Sequence, residues 1–293
     1  MTLQRRGNYS LLFLVVILAF LNFFLFYFDL KGSNKGLTFA VLDVGQGDAL
    51  FMESPTGTQI LFDSGPPRKV LGQLAQVMSP FDRSIDAVVI TNPDADHIGG
   101  LQEVLKNYEV GVVLEPGTFN SSKTYENLKN EIKKQNIDNI LAKKGMKLNL
   151  GGGAVIDVLF PDRDVSGWDP NDGSVIAKLS YGEASFMLMG DSTVKTEKII
   201  MEEYSEMALD STVLKVGHHG SRTSTLQEFV QVVSPEYAII SLGKDNKYGH
   251  PHANTLDTLN TIGAQIFRTD LSGTIILSCD RIGPCVIKTS KSL

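Results

Sequence analysis

Thr91-Asn92-Pro93-Asp94-Ala95-Asp96-His97-Ile98-Gly99-Gly100 puts two carboxylates and an imidazole within four consecutive positions, 94 to 97. It follows Asp86-Ala87-Val88-Val89-Ile90, a short β-branched run that reads as a buried strand. Beyond the two glycines, Leu101, Val104 and Leu105 fall on one face of a helical pattern. Polar groups on a loop between a strand end and a helix start can converge without unpairing a sheet. An Asp here could simply cap the helix, but capping uses one side-chain oxygen. Three metal-ligating groups in a row exceed that need, so Asp94, Asp96 and His97 are candidate ligands.

Outward from this loop, strands and helices alternate. Before it come strand-like runs at 37–43, 48–53 and 59–63, the last two joined by the turn Pro55-Thr56-Gly57-Thr58, then a helical stretch at 70–78. After it come a strand at 110–115, a polar helix at 123–135, and strands at 146–150 and 154–160 around Gly151-Gly152-Gly153. That triplet is a hairpin turn, since it lacks the spacing and the following helix of a phosphate loop. Residues 161–173 read as a surface loop holding the only tryptophan, Trp168. The second half repeats the rhythm: strands at 174–180, 184–189, 212–216 and 237–242, helices at about 193–207, 225–233 and 254–262, and a closing hairpin. Two such halves without a break in composition predict one α/β sandwich.

Histidine placement is the most informative feature. All five histidines fall in three clusters, His97, His218 with His219, and His250 with His252, and each cluster follows a predicted strand. Asp191 also follows one, after Phe186-Met187-Leu188-Met189. Residues beyond strand ends on one edge of a layered α/β fold can converge on a single site. Histidine with carboxylate is a ligand set for Zn²⁺, Mn²⁺ or Fe. A bridging carboxylate would support two ions about 3.5–4 Å apart. His218 and His219 are neighbours, so their side chains diverge and one of them at most serves a given ion.

The chain has 293 residues, a formal charge of −6 and a pI of about 5.4, which excludes a strongly basic nucleic-acid binder but leaves room for a local basic groove. From Leu11 to Phe28 the one clearly polar residue is Asn22, a span just long enough to cross a bilayer. Arg5 and Arg6 precede it, so the positive-inside rule puts residues 1–10 in the cytoplasm and the chain after Asp29 outside. A cleavable signal peptide would carry a shorter apolar region and a small-x-small site, which 32–36 does not match. The expected organisation is a transmembrane anchor at 11–28, a linker at 29–36 and one catalytic domain at 37–293. Cys279 and Cys285 bracket a turn near the C-terminus. A disulfide suited to an oxidising compartment and two small apolar residues are both open readings.

From about Leu37 onward the chain resembles the metallo-β-lactamase-fold hydrolases, specifically the soluble domain of the ComEC competence proteins and their stand-alone relatives. The matching pieces are Leu42-Asp43-Val44-Gly45-Gln46-Gly47-Asp48-Ala49, Leu61-Phe62-Asp63-Ser64-Gly65-Pro66 and Asp94-x-Asp96-His97-x-Gly99-Gly100. They continue with Asn171 and Ser174, Met189-Gly190-Asp191, residues 214–221 around His218-His219, and Tyr248-Gly249-His250-Pro251. The resemblance implies a four-layer αββα sandwich with a metal site at one edge and metal-dependent hydrolysis, of phosphodiester bonds in DNA for the competence proteins. Carried over by position, Asp94, Asp96 and His97 match the metal-binding motif, Asp191 the bridging carboxylate, His218 and His250 the later histidine motifs, and Asp63 an orienting carboxylate. The membrane-channel region of the competence proteins is absent, so DNA uptake does not transfer. Asn92 stands where the motif normally begins with His.

The expected chemistry is attack by metal-activated hydroxide on a phosphodiester, with one or two Zn or Mn ions. Asp94 or Asp96 would ligate or orient water, and His219 or His250 would protonate the leaving group. Lys215, Arg222, Lys247 and Tyr248 adjoin the motifs and could hold a phosphate, although each singly is also ordinary solubility charge or surface. The rival is a membrane-anchored, catalytically weak domain with a structural metal, favoured by Asn92.

Overall fold

Fifteen strands lie within residues 36–291, which together with residues 11–23 are those described by the computed structural model. They begin with β1 (Leu37–Val41), β2 (Leu50–Glu53), β3 (Gln59–Phe62), β4 (Ser84–Val89), β5 (Glu109–Glu115) and β6 (Asp138–Leu141). There follow β7 (Lys147–Gly151), β8 (Ala154–Phe160), β9 (Ile176–Tyr181), β10 (Ala184–Leu188), β11 (Val213–Lys215), β12 (Tyr237–Ile240) and β13 (Gln265–Arg268). The chain closes with β14 (Ile275–Cys279) and β15 (Val286–Thr289). One sheet has the order β15-β14-β1-β2-β3-β4-β5-β6, the other β13-β12-β11-β10-β9-β8-β7.

Strand alternation explains the layering. Along β1, Phe39 and Val41 enter the core between the sheets, while Ala40 and the following Leu42 face the helices outside. Phe39 stacks on Phe186 of β10 at a ring-centroid distance of 4.5 Å, joining the sheets directly. Burying each ring contributes roughly 1.5–3 kcal/mol. A second core lies between the first sheet and the helices Val70–Val77, Leu101–Asn107 and Lys123–Lys134. A third lies between the second sheet and the helices Val194–Glu203, Gln227–Val233 and Ala253–Thr261. The result is the expected αββα sandwich.

Topology then places the site. β3 to β6 pair in parallel, and so do β10 to β13. The C-terminal ends of such strands gather the loops that carry function. Asp63, Thr91, Asp191, His218 and Ser241 all lie just beyond such ends.

No element is expected at β6; all four of its residues are exposed, so no buried alternation marks it. The closing hairpin is β14–β15, and the chain first adds β13 to the other sheet. Cys279 ends β14, Cys285 directly precedes β15, and the two are disulfide-bonded.

Met1–Lys35 and Gly36–Leu293 are separate units. In the first, residues 11–23 form a helix with exposed apolar side chains, such as Phe13 and Phe20. Among the described residues no helix is long and apolar enough to cross a membrane. Residues 24–28 of the expected anchor and 29–35 of the linker lie outside the described residues.

Candidate metal centre

His97 is buried in the short helix Ala95–Ile98 that follows β4. Its Nδ1 donates to Asp63 Oδ2 at 2.8 Å, and Asp63 Oδ1 accepts from the Thr91 backbone N–H at 2.8 Å. That fixes the ring so that Nε2 faces Asp191 Oδ2 at 3.0 Å without hydrogen-bond alignment. Asp63 thus lies behind His97 and fixes its ring, in the place where the resemblance implies an orienting carboxylate. It holds a left-handed backbone, φ 57°, to reach this place.

The His218-His219 pair sits in a tight turn, Gly217–Gly220, where both histidines are left-handed, with φ 46° and 53°. Such strain costs on the order of 1–3 kcal/mol per residue and concentrates at functional sites. It turns His219 inward. The His219 Nδ1 donates to the Ser241 carbonyl at 2.9 Å, and Nε2 lies 3.4 Å from Asp191 Oδ1 and 3.5 Å from Asp96 Oδ2. A ligating histidine is normally fixed through its other nitrogen in this way.

Asp96, His97, Asp191 and His219 thus offer one ligand atom each, all within 4.8 Å of one another. His97 Nε2, His219 Nε2 and Asp191 Oδ1 are buried and have no hydrogen-bond partner. Orphaned buried acceptors of this kind are costly unless something binds them. An N/O donor set with fixed ring orientations fits a divalent cation. With protein groups alone, burial opposes the imidazolium forms, but Asp191 with Asp63 outweighs it at His97, and Asp191 with Asp48 at His219. His97 is held well above its ordinary pKa and His219 is pushed up to about 10.

Behind His219 lies a buried network that sequence reading missed. Asp48 accepts from the Ser241 hydroxyl and, at 2.8 Å, from Lys215 Nζ, which also donates to the Val216 carbonyl at 3.0 Å. Burial works against ionisation of Asp48, and Lys215 and His219 reverse this and hold it well below the usual carboxylate range. Gly47 allows the approach: a Cβ there would come within 2.1 Å of the Asp96 carbonyl.

The remaining expected residues divide. Asp94, His218, Tyr248 and His250 line the same cleft, of about 130 Å³, with Asp96, Asp191, His219, Gln46 and Asn171. Asp94 is outside the tight cluster; its Oδ1 accepts from Asn120 at 2.6 Å. His218, expected as a ligand, is the outer histidine, 3.9 Å from Asp191 Oδ2, and His219, expected as a proton donor, takes the inner place. Tyr248 stacks on His250, 5.6 Å between centroids, and the buried His250 Nδ1 lacks a partner. Lys215 is fully buried in its ion pair and cannot bind substrate, which corrects the expectation. Arg222 and Lys247 are exposed and do not line the cleft. Asn92 is buried and fully engaged: its Oδ1 accepts from the Asp94 N–H at 2.9 Å, and its Nδ2 donates to Asn171 Oδ1 at 2.8 Å. Clefts of about 580 and 610 Å³ elsewhere hold none of the orphaned ligand atoms, so size does not mark the site.

The Metallo-beta-lactamase superfamily profile matches residues 42–244, which contain Asp63, Asp96, His97, Asp191 and His219. The chain belongs to this superfamily. Among curated relatives it is 31% identical to ComE operon protein 3 of Bacillus subtilis, over 94% of this chain and 37% of that protein. It is 30% identical to Competence protein ComA of Neisseria gonorrhoeae, over 83% of this chain and 32% of that protein. The chain therefore spans about a third of the length of these relatives. Among solved structures it superposes on CmlA, a diiron beta-hydroxylase of Streptomyces venezuelae, with a TM-score of 0.54 at 16% identity, covering 84% of this chain and 54% of that one. It also superposes on YhfI of Bacillus subtilis, with a TM-score of 0.52 at 13% identity, covering 79% and 96%. At such identities the likeness establishes the fold alone.

Proposed function

We propose that the chain is a membrane-anchored, metal-dependent phosphodiesterase acting on nucleic acid outside the cytoplasm. The observation that carries the hydrolase is the convergence of ligand atoms on Asp96, His97, Asp191 and His219, with those of His97, Asp191 and His219 buried and unpartnered. A relative named for competence, together with the resemblance to the competence proteins, favours DNA among phosphodiesters. The disulfide between Cys279 and Cys285 favours an oxidising compartment, and the apolar run 11–28 favours an anchor.

Those four residues would hold the ion, and Asp94, His218 and His250 in the same cleft would complete a second position. A divalent cation bound here supplies Lewis acidity and a more acidic water. The chain's own groups then divide the work. Asp191 faces His97 with one oxygen and His219 with the other, so it can serve both sides of the site. Burial and the Asp96 charge raise the Asp94 pKa, which makes it a stronger proton acceptor at the mouth of the cleft. Burial and the neighbouring His219, His218 and His252 push His250 down to about 4. A neutral His250 suits ligation or proton acceptance, in place of the proton-donating role expected from sequence. Asn92, with both amide ends engaged, offers a cation nothing. This favours one tightly held ion over two equal ones.

The test is elemental analysis of the purified full chain together with hydrolysis of single-stranded DNA and bis(p-nitrophenyl) phosphate. Bound Mn²⁺ or Zn²⁺ with turnover is expected. Metal without turnover on any diester would sink the nuclease reading and leave a metal-binding domain; absence of metal would sink both.

A further inference from the structure

We infer that Gln46 and Asn171 present a pair of neutral amide donors to the anionic oxygens of a phosphodiester, with Asn92 setting the orientation of Asn171. This rests on the phosphodiesterase reading and names the groups that recognise its substrate.

The direction of each amide follows from backbone N–H groups, which can only donate. The Asp94 N–H lies 2.9 Å from Asn92, so the atom facing it is the Asn92 oxygen. The Asn92 nitrogen must then face Asn171 at 2.8 Å, and the atom it meets must be the Asn171 oxygen. Asn92 is fully buried, so water cannot substitute in this relay. The Asn171 Nδ2 is left with its two hydrogens and no partner among the described residues, on a side chain that lines the cleft. Gln46 repeats the logic independently. Its oxygen accepts from the Gly243 N–H at 3.1 Å, and its Nε2, also on the cleft, has no partner among the described residues.

The Asn171 backbone is pinned as well. Its N–H donates to Asp169 Oδ1 at 2.9 Å, and the Ser174 N–H donates back to its carbonyl at 3.1 Å. Among the described residues no Lys or Arg lines this cleft, and Asp94, Asp96 and Asp191 do. With a bound cation already matched by three carboxylates, neutral donors suit a singly charged diester better than a doubly charged monoester, whose second charge would need a cationic side chain. The two amides therefore serve as specificity-determining donors, with Asn92 as a positioning residue.

The experiment uses the metal-loaded full chain, turnover of bis(p-nitrophenyl) phosphate, and calorimetric binding of diethyl phosphate as a singly charged probe. N171A and Q46A should each weaken diethyl phosphate binding and raise KM by about 10-fold or more, the effect of removing a hydrogen bond to a charged group. Metal content should stay unchanged, while the thermal midpoint should fall modestly in both variants, because N171A leaves the buried Asn92 Nδ2 and Q46A leaves the Gly243 N–H without an acceptor. N92D should turn the Asn171 amide over and reproduce the N171A loss, yet add nothing in an N171A background, a coupling that a merely structural role would not show. Wild-type KM and probe affinity in both N171A and Q46A would overturn the inference while the phosphodiesterase reading stands. A wild-type chain that neither binds nor cleaves any diester would overturn that reading, and the inference with it.

Discussion

Replacing Lys215 with Met separates two accounts of a lysine that adjoins the histidine motif. If Lys215 held substrate, its loss would raise KM and leave stability alone. The structure places it fully buried, with Nζ 2.8 Å from Asp48 Oδ2. K215M therefore leaves the Asp48 carboxylate buried without its cation, a defect worth about 3–5 kcal/mol. For a domain of this size each kcal/mol shifts the midpoint by about 2–4 °C, so the expected fall is roughly 6–20 °C. The double variant D48N/K215M removes the orphaned charge and should recover a large part of that loss. Thermal unfolding of the metal-free full chain, followed by circular dichroism, reads both. A K215M protein that melts like the wild type but shows a raised KM would refute the reasoning.

Asp63 fixes the His97 ring, so D63N, which exchanges a carboxylate oxygen for an amide nitrogen, should lower metal affinity by about 10–100-fold in a chelator competition. Glu197 is buried, and its two oxygens accept from Thr225 N–H at 2.6 Å and Leu226 N–H at 2.8 Å. Burial, opposed by those two N–H groups, raises its pKa from 4.5 to about 7. The folded chain thus holds a proton that the unfolded chain has released, so stability should fall by about 3 kcal/mol as pH rises from about 4.5 to 7. E197Q should lose that slope relative to the wild type in denaturant titrations at successive pH values; an unchanged slope would contradict the assignment.

Much of this molecule is legible in its residues because burial and periodicity speak together. The run Asp86 to Ile90 has few ways to be other than a central strand, and β8 falls on the predicted 154–160. The convergence of His97, Asp191 and the paired histidines follows from their common position beyond strand ends. What stayed hidden depends on contacts far apart in sequence. Lys215 reads as solvent charge until Asp48, 167 positions away, is seen opposite it. Choosing His219 over His218 requires the left-handed backbone of both, which no periodicity reports. Asn92 looked like an impaired ligand, and only its hydrogen bonds to Asp94 and Asn171 show a scaffold role. β6 lacks burial altogether, so nothing in its pattern distinguishes it from loop.

The pairing of β1 with β14 also bears on how the chain acquires its shape. Leu37 stands opposite Cys279 and Val41 opposite Ile275. The first strand of the sandwich pairs early with β2 on one side but needs β14, far later in the chain, on the other. Contacts of such sequence separation close loops at high entropic cost and slow folding. The candidate ligands also join distant segments, since Asp96 and His97 come from the first half and Asp191 and His219 from the second. A chain cut before β14 would contain all four, with β1 left as an exposed edge of the first sheet. Competence to bind metal should therefore arise late in folding, after these long-range contacts close.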